Sequence, residues 1–485
     1  MLYRKLSIKP QRIMSNQGYA DVLIGLQYGD EGKARVVDNI AQNYDIIARF
    51  NGGANAGHTV KTDKGNLALK QVPSGVFYPD KLLYTGSGCV VNPVKLAKEI
   101  QDIQAIDISL KNRFKIAGQA SVVQPHHVLL DGLTGGAIGT TRNGIGPCYA
   151  DRANRMDGNR LLHIRMGDLK YDPDYFFPLI AKNLEEAAKK NDFKDIDQEK
   201  LMDEMKAAFA EVAEYVETDP LYLQKLVEGG KRVLFEGAQS VMLDVMKGAV
   251  PYVTSSHTVA GAAYVGGDLA PKFHRKTIGI VKALMSRVGN GPFPSEFGGT
   301  QSEDYCIELY EDGSPKHGRE YESKLNLEEL LKSTDDFQLG KGLRVLSGEY
   351  GTVTTRPRRL GVLDLAQLNY TIRLNGVTDL VINKCDLLKE YSRTTANTLP
   401  LVKAYEFRGE TIDYIPSSTK AYRECNAIIE NFETFTEDLS MMRSPEEIPQ
   451  NLKTFLKAIE DETNCTVVGI GVGPERDQFI TLKGF

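Results

Sequence analysis

Apolar residues in this chain gather into short unbroken runs, separated by segments where apolar and polar positions follow helical spacing. The first run is Val22 to Leu26. Ala34, Val36, Val37, Ile40 and Ala41 follow at roughly helical intervals. A short run without alternation suits a strand buried on both faces, as in a parallel sheet. Tyr44 to Phe50, Leu82 to Val91, Phe114 to Ala117, Arg232 to Phe235, Thr277 to Met285, Leu380 to Ile382 and Val467 to Gly471 read the same way, and Pro93 to Ile103 reads as a helix. From Tyr175 to Glu228 the composition shifts to Ala, Glu, Lys, Leu and Met. There Leu201, Met205, Ala208, Phe209, Val212 and Val216 form the apolar stripe of an amphipathic helical section. Phe297 to Arg344 is acidic, polar and rich in turns, and reads as a long insertion or lid with one helix, Leu325 to Lys332. The pattern predicts an α/β fold: a large, mainly parallel central sheet flanked by helices. It would form one domain over 18–485, with a helical insertion at 175–230 and an extended lid at 297–345.

Each apolar run ends in a polar, glycine-rich tip, as happens where an open α/β sheet builds a site at the carboxyl ends of its strands. After the first run comes Gly25-Leu26-Gln27-Tyr28-Gly29-Asp30-Glu31-Gly32-Lys33 and then a helix, the layout of a phosphate cradle. It is not a Walker A loop: Gln27 stands where that motif needs glycine, and Ala34 where it needs Ser or Thr. Asp30 stands inside the turn, where a carboxylate beside phosphate is repelled unless a cation intervenes. It reads as a metal ligand or as a base, against the plainer reading of a surface Gly-Asp turn. Asn51 to Thr59 cannot pack a core but lets backbone lie against a ligand, and it carries His58. A single histidine is more often structural, yet a glycine-rich loop after a strand suits function.

Further tips carry similar chemistry. Gly139 to Pro147, with Arg152 and Arg155 beyond it, has hydroxyls and glycines enough to wrap a phosphate, or is an ordinary surface loop. Gly351 to Arg359 sets hydroxyls before three arginines stiffened by Pro357. This favours a clamp for carboxylate or phosphate over a solvated basic surface. Asn383-Lys384-Cys385-Asp386 matches the N-K-x-D box, whose aspartate accepts from guanine N1–H and the 2-amino group. Val472 to Arg476 forms a last glycine turn.

Composition narrows the class. The chain has 485 residues and a formal charge of -5, so nothing draws it broadly to nucleic acid or an anionic membrane. Its six cysteines are scattered without C-x-x-C and its seven histidines lack ligand spacing. Neither structural zinc nor a disulfide framework is expected, and free thiols fit a reducing, cytoplasmic setting. Residues 1–17 are basic, free of acids and without an apolar core. They read as a disordered extension, with Met14 as a second possible start, or as a transit peptide, and no run reaches membrane-spanning length.

Collected in order, GDEGK, NAGHT, GTT…GIGP…R, FEGAQ…LD, VTSS, GPFP, TRPRR, NKCD and GPERD resemble the adenylosuccinate synthetase family from about Asp21 to the C-terminus. The resemblance implies P-loop-NTPase-like phosphate binding and a GTP-dependent ligase. It would join L-aspartate to IMP through 6-phosphoryl-IMP, giving adenylosuccinate, GDP and phosphate, with one Mg²⁺ per subunit. Asp30, His58 and Gln239 would be catalytic, with Asp30 taking the N1 proton and His58 acting as the acid. Asp30 and the Gly57 carbonyl would hold the metal. The GTP site would comprise Gly29, Asp30, Glu31, Gly32, Lys33, Gly57, His58, Thr59, Arg358, Lys384, Cys385, Asp386, Gly471, Val472 and Gly473. The IMP site would comprise Asp30, Lys33, Asn55, Ala56, Gly57, His58, Thr141, Gln239, Thr254, Val288 and Arg356, with Arg155 reaching in from the other subunit of a homodimer. Thr352, Val353, Thr354, Thr355 and Arg356 would take aspartate. Base and acid would stand on two neighbouring strand tips.

The chain departs from the family pattern at Tyr28 and Val362 (tryptophan is usual), Ala34-Arg35 (Gly-Lys), Asn51 (glutamine), His257 (asparagine) and Thr355 (glycine). Two rivals remain open: the same ligation on another purine nucleotide such as dGMP, and a GTP-binding regulator without ligase activity. Asp30 argues against the first. His58, Gln239 and the Thr354–Arg356 clamp argue against the second.

Overall fold

In a computed structural model the described residues are 17–55, 57–62, 65–134, 142–193, 196–287, 289–311, 314–351 and 355–485, side chains of 58–62, 65–66 and 134 excepted. Ten strands form the main sheet: β1 (Tyr19–Gly25), β2 (Ile46–Arg49), β3 (Leu82–Thr85), β4 (Phe114–Ala117), β5 (Val216–Glu217), β6 (Arg232–Ser240), β7 (His274–Lys282), β8 (Val377–Asn383), β9 (Thr466–Gly471) and β10 (Phe479–Thr481). Their order across the sheet is β5-β4-β3-β2-β6-β1-β7-β8-β9-β10. All pairs are parallel except β9 with β10, so the strands from β1 to β9 open their carboxyl ends on one edge.

Alternation within the strands explains the layering. Val22, Ile24, Ile46, Ala48, Phe235 and Ile382 face one apolar core. Leu23, Ile47, Leu234 and Val381 face the other. Helices cover both faces, so strands of the middle read as unbroken apolar runs.

Four expectations change. β6 lies between β1 and β2, so the tips carrying Asp30 and His58 are not neighbours: the tip carrying Gln239 stands between them. Leu82 to Val91 divides into β3 and a separate strand, Val90–Val91; between them Gly86 and Gly88 leave no room for a Cβ against the backbone of Arg49, Phe50 and Gly266. The 175–230 section holds helices but also β5, an edge strand of the main sheet. Among the described residues the 297–345 section holds four helices rather than one: Gly299–Ile307, Arg319–Glu322, Leu327–Lys332 and Asp336–Ser347. Residues 1–16 lie outside the described set. No helix of the described residues is long and apolar enough to cross a membrane.

A second sheet contains Leu284–Arg287, Arg359–Asp364 and Thr398–Phe407, and its first strand follows β7 in the chain and touches it. Tyr28 is buried against this sheet and carries the Arg287 guanidinium 4.4 Å above its ring. Its hydroxyl meets that of Tyr422 at 3.3 Å. Tyr422 in turn meets Tyr405 at 3.4 Å, and Tyr405 donates to Asp364 at 2.7 Å. Asp364 also caps the helix Leu365–Asn375 by accepting from the Gln367 N–H. Burial pushes its carboxyl up to about 6.

The folded chain therefore holds this proton more tightly than the unfolded chain. The stability it contributes is full below the unfolded value and lost as pH rises through about 6. Asp364→Asn keeps a capping oxygen without the titration. In urea unfolding between about pH 4.5 and about pH 7, the parent chain should lose about 2 kcal/mol more than the variant. Equal pH slopes would contradict the assignment.

Candidate active site

β1 ends in the turn Gly29–Gly32, and the helix Lys33–Ile40 follows. Gly29, Asp30 and Gly32 have φ of 97°, 57° and 82°. This left-handed path is free for glycine and strained for aspartate. The path is held by a buried acid rather than by its own backbone. Glu31 accepts from the Gly29 N–H at 2.8 Å, from Ser240 Oγ at 2.6 Å and from Lys33 Nζ at 2.7 Å. Burial pushes the Glu31 carboxyl up, but Lys33 and Lys282 outweigh it and hold it below the usual range. From β8, Asn383 donates to the Glu31 carbonyl at 2.6 Å. A Cβ on Gly32 would stand 3.0 Å from Asn383 Nδ2, and one on Gly471 2.4 Å from its Oδ1. The first residue of the N-K-x-D box is thus wedged between the phosphate turn and the last glycine turn.

Beyond β2, Asn51 donates to the Ala238 carbonyl at 3.1 Å and accepts from the Ala238 N–H at 2.9 Å, tying this loop to the tip of β6. There Gln239 has φ 56°, and its buried Oε1 has no partner among the described residues. Asn55 accepts from the Gly53 N–H. Gly57 is exposed, with open space where a Cβ would be. His58 and Thr59 open the hairpin strand His58–Thr62, their side chains outside the described set. Thr254 is half-buried and donates its N–H to Leu243. Arg155 is exposed with φ 65° just after the helix Ile145–Asn154. Ala56, Thr141, Val288, Thr352, Val353 and Thr354 lie outside the described residues.

An ionic chain joins the remaining motifs. Arg358 places Nη2 2.6 Å from Asp30 Oδ2 and Nη1 2.7 Å from Glu349 Oε2. The other Glu349 oxygen pairs with Lys384. Ser286 donates to Glu349 at 3.0 Å, and Lys282 donates to the Gly29 carbonyl at 3.1 Å and to Ser286. Burial pushes Glu349 up, but Lys282, Lys384 and Arg358 together hold it well below the carboxylate range. Burial pulls the Lys282 ammonium down. At the outer end, burial raises the Asp386 carboxyl. Cys385 is buried. Arg35 donates to the carbonyls of Gly473 and Gln478, and Val472 closes the same turn through Gln478. Arg356 donates to the Cys306 carbonyl at 2.8 Å. Next to it Thr355 has φ 54°, strained for a β-branched residue.

Sequence reasoning missed Lys282, Ser286, Glu349 and the anchoring role of Asn383. It also missed that His126 and His127 both reach Asp151 Oδ2 at 3.1 Å. That trio has metal-ligand residue types but not the electronics. The Gln124 N–H donates to His127 Nδ1, so the proton sits on Nε2, which donates to Asp151 and keeps no lone pair for a metal. Burial lowers His127 to about 4, which keeps it neutral. For Mg²⁺, the half-exposed Asp30 carboxylate and the open Gly57 backbone offer hard oxygen donors of the right kind.

Comparison with known proteins identifies the family. The sequence model described as adenylosuccinate synthetase matches residues 22–480. Adenylosuccinate synthetase 2 of Cupriavidus pinatubonensis is 46% identical over 468 residues, 96% of this chain and 98% of its own. Adenylosuccinate synthetase of Caldanaerobacter subterraneus subsp. tengcongensis is 36% identical over 476 residues, covering 96% of this chain and 99% of its own. The solved, fully ligated adenylosuccinate synthetase from Plasmodium falciparum superposes with a TM-score of 0.80 at 29% identity, over 96% of this chain and 100% of that one.

Asn383→Ala leaves the buried Glu31 carbonyl without its donor. Urea unfolding should show a loss of about 1–3 kcal/mol. An unchanged midpoint would show that the wedge holds nothing.

Proposed function

Because the chain belongs to the adenylosuccinate synthetase family, it is a GTP-dependent ligase that joins L-aspartate to IMP, and we propose that it does so at the carboxyl edge of the main sheet. The reading is supported above all by the ionic chain Asp30–Arg358–Glu349–Lys384, which unites the phosphate turn, the arginine clamp and the N-K-x-D box in one place. GTP is the co-substrate and Mg²⁺ the cofactor, with Asp30 and the Gly57 carbonyl as the groups that would hold the ion. When bound, Mg²⁺ neutralises phosphate charge on GTP.

The purine 6-oxygen is a poor leaving group until it is phosphorylated. Asp30 takes the proton from purine N1 as the γ-phosphoryl passes to that oxygen, and His58 acts as the acid. The aspartate amine then displaces phosphate. Gln239, on the tip between those two, meets the purine in this reading; its buried amide oxygen has no partner among the described residues. Lys33 and Arg358 face phosphate, and Asp386 accepts from the guanine edge. The Gly471–Gly473 turn, fastened by Arg35, borders that base. Asn55, Thr254 and Arg356 line the IMP side, and the 352–356 loop takes aspartate. In a homodimer, exposed Arg155 reaches the IMP phosphate of the other subunit. The six cysteines are all buried free thiols, which suits a cytoplasmic enzyme.

Purified protein given IMP, aspartate, GTP and Mg²⁺ should change its ultraviolet absorbance and release phosphate only when IMP and aspartate are both present. Release without either, or only with dGMP in place of IMP, would overturn the reading. Asp30→Asn and His58→Asn should each lower turnover by ~10²–10⁴-fold with an unchanged urea midpoint. Near-parent activity in either would remove that residue from its role.

A further inference from the structure

A site that receives a nucleoside triphosphate needs several cations close together, and these repel one another until the ligand arrives. Lys33, Lys282, Arg358 and Lys384 converge here. Lys33 has Glu31 as its counter-charge. Arg358 and Lys384 pair directly with Glu349, which is 1% exposed, and Lys282 reaches it through Ser286; Arg358 also meets the half-exposed Asp30.

Its place in the fold is specific. Glu349 follows the helix Asp336–Ser347 and begins a hairpin whose return strand carries the arginines. The Arg358 N–H donates to the Glu349 carbonyl at 3.0 Å, Tyr350 bridges Pro357, and the Gly351 N–H donates to Arg356 at 2.8 Å. Backbone and side chain of Glu349 therefore both hold Arg358. The second carboxylate oxygen holds Lys384, the residue after the Asn383 wedge. Through Ser286 and Lys282 the same carboxylate reaches the Gly29 carbonyl of the phosphate turn. One buried acid thus spans the clamp, the N-K-x-D box and the phosphate turn.

We propose that Glu349 is a positioning residue for GTP: it fixes Arg358 and Lys384 in the geometry that receives the nucleotide, without touching substrate itself. This rests on the ligase reading given above. A buried carboxylate bonded to two cations has a second possible role, plain structural support, and the two differ in what they move. Support alone changes stability, or all substrates equally. Positioning changes GTP selectively.

The experiment measures KM for GTP, IMP and aspartate, together with kcat, in the full-length enzyme. Glu349→Gln keeps the shape and removes the charge. It should raise KM for GTP by at least about tenfold while KM for IMP stays within about twofold, since truncating one partner of a buried charge pair is costly. Glu349→Asp, with the charge retained, should recover at least about threefold of that loss. A folded Glu349→Gln enzyme with near-parent KM for GTP, or with all three KM values raised alike, would overturn the proposal. If Glu349→Gln does not fold, Ser286→Ala decides. It removes one donor from Glu349 and one contact from Lys282, and should raise KM for GTP by about threefold with IMP unmoved. No change would overturn it. An inactive parent enzyme would instead fail the ligase reading, which keeps the two failures apart.

Discussion

Crowding like charges without letting them push the loops apart is the constraint on which this structure depends. The carboxyl edge of the sheet brings together Lys33, Lys282, Arg358 and Lys384, and two buried acids, Glu31 and Glu349, make that possible. Each acid is buried, which by itself disfavours its charge, and each is held ionised by more than one cation. Pairs of this kind contribute little net stability compared with apolar packing, but breaking one leaves an uncompensated charge in the interior. Their value is in geometry: they leave the arrangement of the tips few alternatives.

The same edge concentrates backbone strain. Asp30, Gln239, Thr355 and Lys384 are non-glycine residues with φ between 54° and 62°, each at a strand tip or in the arginine clamp. Left-handed backbone costs such residues on the order of 1–3 kcal/mol, and surrounding bonds must hold it in place. Here Glu31, Asn383 and Glu349 do so. The parallel topology supplies the rest: the tips of β1, β2, β6, β7, β8 and β9 open on one side, so sequence segments hundreds of residues apart meet without a domain interface.

Much of this was legible in the sequence, for identifiable reasons. Strands buried on both faces leave unbroken apolar runs, and glycine turns mark where they end. Asp30, Lys33, Arg358 and Asp386 stand in short motifs whose residue types suit phosphate or guanine. What lay hidden depends on contacts between distant segments. Lys282 is a charge at the end of an apolar strand, and Glu349 is one acid in a polar stretch. Neither shows its partners locally. The insertion of β6 between β1 and β2 leaves no local trace. The helices of 297–345 were obscured by glycines such as Gly340 and Gly342, which weaken helix propensity. Packing calls for the first, since a Cβ on Gly340 would lie 2.7 Å from Phe297.

If the phosphate turn, the Glu349 hairpin and the N-K-x-D box are one mechanical unit, GTP cannot order one of them alone. Backbone hydrogen exchange, followed by mass spectrometry with and without GTP and Mg²⁺, measures this directly. The account predicts that residues 29–36, 349–358 and 383–388 gain protection together at the same nucleotide concentration. Protection confined to 383–388, with the other two segments exchanging as before, would contradict it.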